Sequence, residues 1–229
     1  MLNAFLLGAV AQVSLVLAGL VVFRLKVPTK IVGALAGFGA GSLIGAIAFD
    51  LAPDAKGLTS LEAAGWLLIG ALVFAVGDHL VEKRFGSEGT GSALGIVVGS
   101  VVDGVPESVI FGVQLAAGMA VSAAFLFAVF VSNIPQALAP SASLAESGWS
   151  WKRVGLLWFW VVLACGVASA LGYGVSNLAT DVTGARIAAL AGGGILAMLS
   201  DSLLPFAHEH YENAGIWTVV GLCVSLAMS

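Results

Sequence analysis

The chain has 229 residues, 59% of them hydrophobic and only 10% charged, with a formal net charge of −4. A soluble domain carries roughly 25% charged residues, so this chain cannot cover a water-facing globule with polar surface. No basic patch is present, so nucleic acid is not an expected partner; membrane lipid is.

The apolar residues come in runs of about 20, the length an α-helix needs to cross roughly 30 Å of hydrocarbon. They do not alternate with polar residues as the strands of a membrane barrel would. The runs predict eight helical spans, at 3–23, 31–52, 61–81, 92–116, 119–140, 153–175, 184–206 and 213–228. The polar stretches between them (24–30, 82–91, 141–152 and 207–212) are too short for a soluble domain, so residues 1–229 are expected to form a single transmembrane domain. The first run follows Met1-Leu2-Asn3 without a basic lead and is too long for a signal-peptide core, so it is expected to be a retained span. Cys165 and Cys223 both fall inside apolar runs and read as buried thiols rather than a disulfide.

With eight spans, the odd-numbered connections carry Arg24, Lys26, Lys30, Lys83, Arg84, Lys152 and Arg153, and the other side carries only Lys56 and Arg186. Positive residues stay on the cytoplasmic side, which places both termini outside the cytoplasm of a cell (inner) membrane. Trp66, Trp149, Trp151 and Trp217 sit near span ends, where indole rings favour the interface. Glycines recur every four residues at Gly37, Gly41 and Gly45 in span 2, and at Gly91, Gly95 and Gly99 entering span 4. Such stripes let helices approach closely in lipid; they read as packing faces, and they make a homodimer reasonable.

Span 4 holds two carboxylates, Asp103 and Glu107, one helical turn apart on one face. A carboxylate at mid-bilayer costs about 2.5–3.5 kcal/mol on insertion scales, so it needs a partner. Pro106 lies between them and removes one backbone hydrogen bond. Span 5 repeats the pattern: DGVPES at 103–108 is matched by SNIPQA at 132–137, with Pro135 flanked by Asn133 and Gln136. Two proline-kinked helices held by buried hydrogen bonds would explain the prolines and amides, but would leave the two carboxylates without a counter-charge. No Lys or Arg lies in the middle of any span, so a bound cation is the natural partner. The candidate ligands are Asp103, Glu107, Asn133 and Gln136, with Ser132 in addition. All are oxygen donors, which favour harder ions such as Mn, Mg or Ca; zinc would more often be served by His or Cys.

Spans 2 and 7 carry a fainter relation: GSLIGAIAFDLAP at 41–53 and GGILAMLSDSLLP at 193–205. The two spans run in opposite directions, as an inverted repeat requires. Asp50 falls towards the outer face and Asp201 towards the inner face, as groups on the way in and out. His208 and His210 flank Glu209 after span 7 and could gather metal at the inner exit or simply sit at the interface; His79 follows Asp78 at the inner end of span 3.

These residues resemble the ZIP (Zrt/Irt-like) family of divalent-metal transporters. That family typically reads His-x-x-Pro-Glu-Gly in span 4, where this chain has Asp103, Pro106, Glu107 and Ser108. In span 5 it has Asn or Asp, an aliphatic residue and Pro-Glu-Gly, where this chain has Asn133, Ile134, Pro135, Gln136 and Ala137. Many members end span 2 in His-Leu-Leu-Pro, matched here by Asp50, Leu51, Ala52 and Pro53. The resemblance implies an all-α, eight-helix integral membrane bundle with spans 1–3 and 6–8 as an inverted repeat around Pro-broken spans 4 and 5. It also implies that Asp103, Glu107, Asn133 and Gln136 line the metal site. Asp103 for His, Gln136 for Glu, Gly104 where many members have a polar ligand and the lack of an acidic residue in span 6 make one metal site the better expectation than two.

The expected function is therefore transport of a divalent cation (Zn, Mn or Fe) into the cytoplasm, with ion binding displacing a proton. The alternatives are a proton-coupled carrier of an organic cation and a non-transporting protein that kept the fold with a degenerate site. Nothing resembles a nucleophile–base pair or a nucleotide loop, so enzymatic activity is not expected.

Overall fold

The computed structural model describes residues 1–51, 57–85, 93–178 and 181–229. Ala52, Pro53, Lys56 and Gly91, used above, lie outside the described residues. The described residues contain helices and no strand, as a chain of apolar runs must if each run is to satisfy its own backbone hydrogen bonds. Helices α1 (Leu2–Ala11) and α2 (Val13–Val21) form the first span. Then follow α3 (Thr29–Ala46), α4 (Ser60–Phe85), α5 (Ala93–Ala116), α6 (Ala123–Glu146), α7 (Trp151–Leu178), α8 (Asp181–Met198), α9 (Leu204–His210) and α10 (Ala214–Met228). Seven stretches are long and apolar enough to cross a membrane, each overlapping one of the first seven predicted spans. The eighth is α10, at 15 residues shorter than a full crossing.

A proline inside a span does not by itself break the helix. Helices α5 and α6 were expected to be broken at Pro106 and Pro135, yet both run through without interruption, α6 with a second proline at Pro140. A proline withholds only one N–H, and the bonds on either side carry the helix past it. The breaks lie elsewhere. The first span is interrupted at Gln12, with φ −94° and ψ 0°. Spans 2 and 7 each contain a π-helical segment, Ile47–Leu51 after α3 and Leu199–Leu203 between α8 and α9.

Glycines set the crossings. A Cβ on Gly41 would collide with the Thr218 carbonyl, and one on Gly221 with the Phe38 carbonyl, which locks α3 against α10. Gly70 meets the Leu190 carbonyl and Gly193 the Leu67 carbonyl in the same way, which locks α4 against α8. Sliding Gly41 onto Gly193 also puts Phe38 onto Leu190 and Ile47–Leu51 onto Leu199–Leu203. Sliding Gly70 onto Gly221 puts Leu67 onto Thr218. The same crossing is thus built twice in one register. Gly37 and Gly45 join Gly41 against α10, so that stripe is a packing face. The second stripe is not: a Cβ on Gly99 would meet nothing within 4 Å.

Around these pairs, α5 packs on α7 and α8, and α6 on α2 and α3. Between them lies a core that includes Leu43, Ile110, Phe111, Phe125, Val129 and Ile195, all at 0% exposure. Phe111 and Phe125 touch with ring centroids 5.0 Å apart.

Replacing Gly41 or Gly193 by Val should destabilise the fold by about 1–3 kcal/mol, the usual range for overpacking. Gly65→Ala, where a Cβ meets nothing within 4 Å, should change stability little. Thermal unfolding of the detergent-solubilised variants checks this; a Val at Gly41 that leaves the transition temperature unchanged would disprove the crossing.

Candidate cation site

Helix α5 supplies Asp103 and Glu107, and α6 supplies Asn133 and Gln136. The break at Gln12 lets the first span reach both. The Gln12 amide donates from Nε2 to Glu107 Oε2 at 3.1 Å, and its Oε1 accepts from Asn133 Nδ2 at 2.6 Å. Gln12, Glu107 and Asn133 are buried, at 0%, 1% and 2% exposure. The second carboxylate oxygen, Glu107 Oε1, is buried with no hydrogen-bond partner. Beside this chain the wall is low: a Cβ on Gly104 would stand 2.7 Å from Cys165 Sγ and 3.6 Å from Gln12 Nε2.

Asp103 and Gln136 face a different space. They line a cavity of about 400 Å³ between α5, α6 and the second π-helical segment, together with Gly95, Gly99, Pro140 and Ser202. Gly95 and Gly99 both line this cavity, and at Gly99 a Cβ would meet nothing within 4 Å. Gln136 Nε2 is buried without a partner. Pro140, four residues on from Gln136, has no N–H to give the backbone carbonyl of Gln136. Phe206 lines this cavity and also a second one of about 590 Å³, which reaches Lys26, Glu146 and His210.

The structure thus brings four of the five expected ligands to one region in two tiers: Asp103 and Gln136 on the cavity, Glu107 and Asn133 behind it. Ser132 is not among them. Its hydroxyl donates to the Val129 carbonyl at 3.0 Å, and its backbone packs on Gly39 of α3. Asp50 accepts a hydrogen bond from Ser122, whose hydroxyl also caps α6 by accepting from Phe125 N at 2.9 Å. Asp201 is exposed. His208 and His210 do not pair with each other around a common point. Each ring bonds the carbonyl four residues back, at 3.0 and 2.9 Å, and His210 stacks on Phe206 at 4.1 Å. Among the described residues, no three His, Cys, Asp or Glu side chains gather into a metal-binding group; the site is carboxylates plus amides.

Gln12 is the residue that the sequence reading missed. The available signal was a lone amide in the middle of the first apolar run. Compared with known protein families and with curated proteins, the sequence matches none.

In a chain whose Cys165 and Cys223 are both replaced by Ala, Gln136→Cys should react with a small water-soluble thiol reagent and Asn133→Cys should resist it, by at least about tenfold in rate. Mass shift of the intact protein reads the result. Equal rates would mean that the two tiers do not exist in the membrane.

Proposed function

We propose that this chain carries divalent metal cations across a membrane through the Asp103–Glu107 site. The observation that carries this reading is Glu107: a carboxylate at 1% exposure, with one oxygen unpartnered, on a span without a basic residue. Removing an anion from water is strongly unfavourable unless a counter-charge arrives, and a cation reaching Glu107 by way of Asp103 supplies it. The ligand set of carboxylate and amide oxygens suits Mn or Fe and admits Zn. Asp103 would meet the ion first, and Glu107 would take it deeper.

A ZIP-like arrangement of eight spans fits the packing. Exchanging spans 1 with 6, 2 with 7, 3 with 8 and 4 with 5 turns the α3–α10 contact into α4–α8, and the α3–α6 contact into α5–α8. The doubled glycine crossings and the matched π-helical segments support the same exchange, which is the expected signature of an inverted repeat. On the orientation set by Lys and Arg, with both termini outside the cytoplasm of the cell membrane, the 400 Å³ cavity opens inward. Ile110, Phe111 and Phe125 then close the outer side. This is a carrier facing the cytoplasm, with the π-helical segments as the places where spans 2 and 7 can change length.

One observation favours a second reading, a ZIP-fold protein that does not transport. Gln12 already satisfies one oxygen of Glu107, as an internal plug would.

Reconstitution into liposomes separates the two. Wild-type protein should move Mn²⁺, Zn²⁺ or Fe²⁺ down a gradient. Asp103→Ala and Glu107→Ala should each cut the flux by at least about tenfold, since even outer-shell partners of a metal cost 10–100-fold. Flux that is absent in all three favours the plugged reading, and flux that is equal in all three removes these residues from the path.

A further inference from the structure

The break at Gln12 is the one feature of the site that the transport reading does not require. An apolar first span could have run straight past Glu107. Instead it stops hydrogen-bonding regularly at a single residue and turns that residue's fully buried amide between α5 and α6. The polarity of that amide is informative. Its N–H end, the positive end of the dipole, lies on Glu107 Oε2 at 3.1 Å, and its oxygen is held by Asn133 at 2.6 Å. A neutral donor thus stands beside the carboxylate that a cation would balance.

We propose that Gln12 is a reversible stand-in for the cation: its N–H end holds Glu107 while the site is ion-free, and the amide turns over to offer its oxygen as a ligand when a divalent cation arrives. The inference rests on reading Asp103 and Glu107 as the ion path. The geometry makes the exchange economical. The terminal torsion of Gln is broad and has no deep staggered well. Gln12 and Asn133 each carry a donor and an acceptor on the same flat group. If both turn by half a revolution, Gln12 Nε2 donates to Asn133 Oδ1, and their mutual hydrogen bond survives with its direction reversed. Only the bond to Glu107 is exchanged, for coordination of the ion by Gln12 Oε1 and Glu107. The amide lies alongside Gly104, where a Cβ would press on Cys165 Sγ at 2.7 Å. The unpartnered Glu107 Oε1 is the second oxygen ready for the ion.

The test uses the full chain in detergent, with Mn²⁺ titrated by calorimetry and thermal unfolding followed in parallel, for wild type, Gln12→Leu and Gln12→Glu. The leucine variant loses both the ligand and the donor: Mn²⁺ affinity should fall by about tenfold or more, and the ion-free protein should unfold at lower temperature. The glutamate variant keeps the oxygen and loses the donor, so its ion-free form should also be less stable while Mn²⁺ affinity is retained or raised. Unchanged affinity in both variants overturns the proposal and leaves Gln12 as a structural strut. A leucine variant that binds more tightly than wild type also overturns it, in favour of a plain plug. If the leucine variant does not fold, the glutamate variant decides alone: loss of affinity there overturns the proposal. A wild type that binds no Mn²⁺, Zn²⁺ or Fe²⁺ removes the ion path itself, a failure distinct from that of Gln12.

Discussion

A carboxylate sealed among apolar side chains has to be matched by something, and most of the local structure around Glu107 can be traced to that demand. An isolated ion in such surroundings is costly, and a half-satisfied polar group is costly as well. Glu107 receives one hydrogen bond, from Gln12, and leaves one oxygen without a partner. To deliver that one bond, the first span gives up regular helix at Gln12. Beside it, α5 carries glycine at 104, where a Cβ would meet Cys165 Sγ at 2.7 Å. To hold the amide in place, α6 presents Asn133. Three spans thus contribute to the surroundings of a single acid group and leave one of its oxygens without a hydrogen-bond partner.

Around that centre one kind of glycine crossing occurs twice. The paired glycine crossings hold α3 to α10 and α4 to α8 as rigid units, because backbone carbonyls lie where side chains would otherwise be. Two π-helical segments, Ile47–Leu51 and Leu199–Leu203, interrupt the α-helical ladder of spans 2 and 7. A π turn is a wider, strained turn that recurs at functional positions. Both crossings join a helix of spans 1–3 to a helix of spans 6–8, so they hold the two halves of the chain together.

Sequence reasoning reached different depths at different residues, for physical reasons. Span positions were legible because hydropathy is additive along the chain and membrane crossing demands length. The faint match between 41–53 and 193–205 was legible and coincides with the placement of both π-helical segments. Gly37, Gly41 and Gly45 read correctly as a packing face, whereas Gly95 and Gly99 line a cavity; spacing alone does not say whether a neighbour fills the gap. The prolines misled, since a proline deletes one hydrogen bond and need not end a helix. Ser132 misled because its neighbour Asn133 points into the site while Ser132 itself bonds backward to Val129. Gln12 was illegible because one amide in an apolar run has no period and no motif; its meaning comes only from residues 95 and 121 positions away.

The two carboxylates are one turn apart yet live in different surroundings, and that difference bears on how an ion would move. Asp103 lines an open cavity, where water can reach it and an ion can exchange part of its hydration shell for carboxylate and amide oxygens. Glu107 lies behind it, where no space for hydration is left and the internal amide already occupies one side. An ion that stops at Asp103 keeps water; an ion that advances must displace Gln12 from Glu107. Beyond Glu107, the contact of Phe111 with Phe125 offers no ligand at all. The order of environments (wet carboxylate, dry carboxylate, hydrocarbon) does not describe a continuous pore. Passage would require the hydrocarbon end to open while the wet end closes, so on this geometry transport, if it is the function, proceeds by alternation of the two faces.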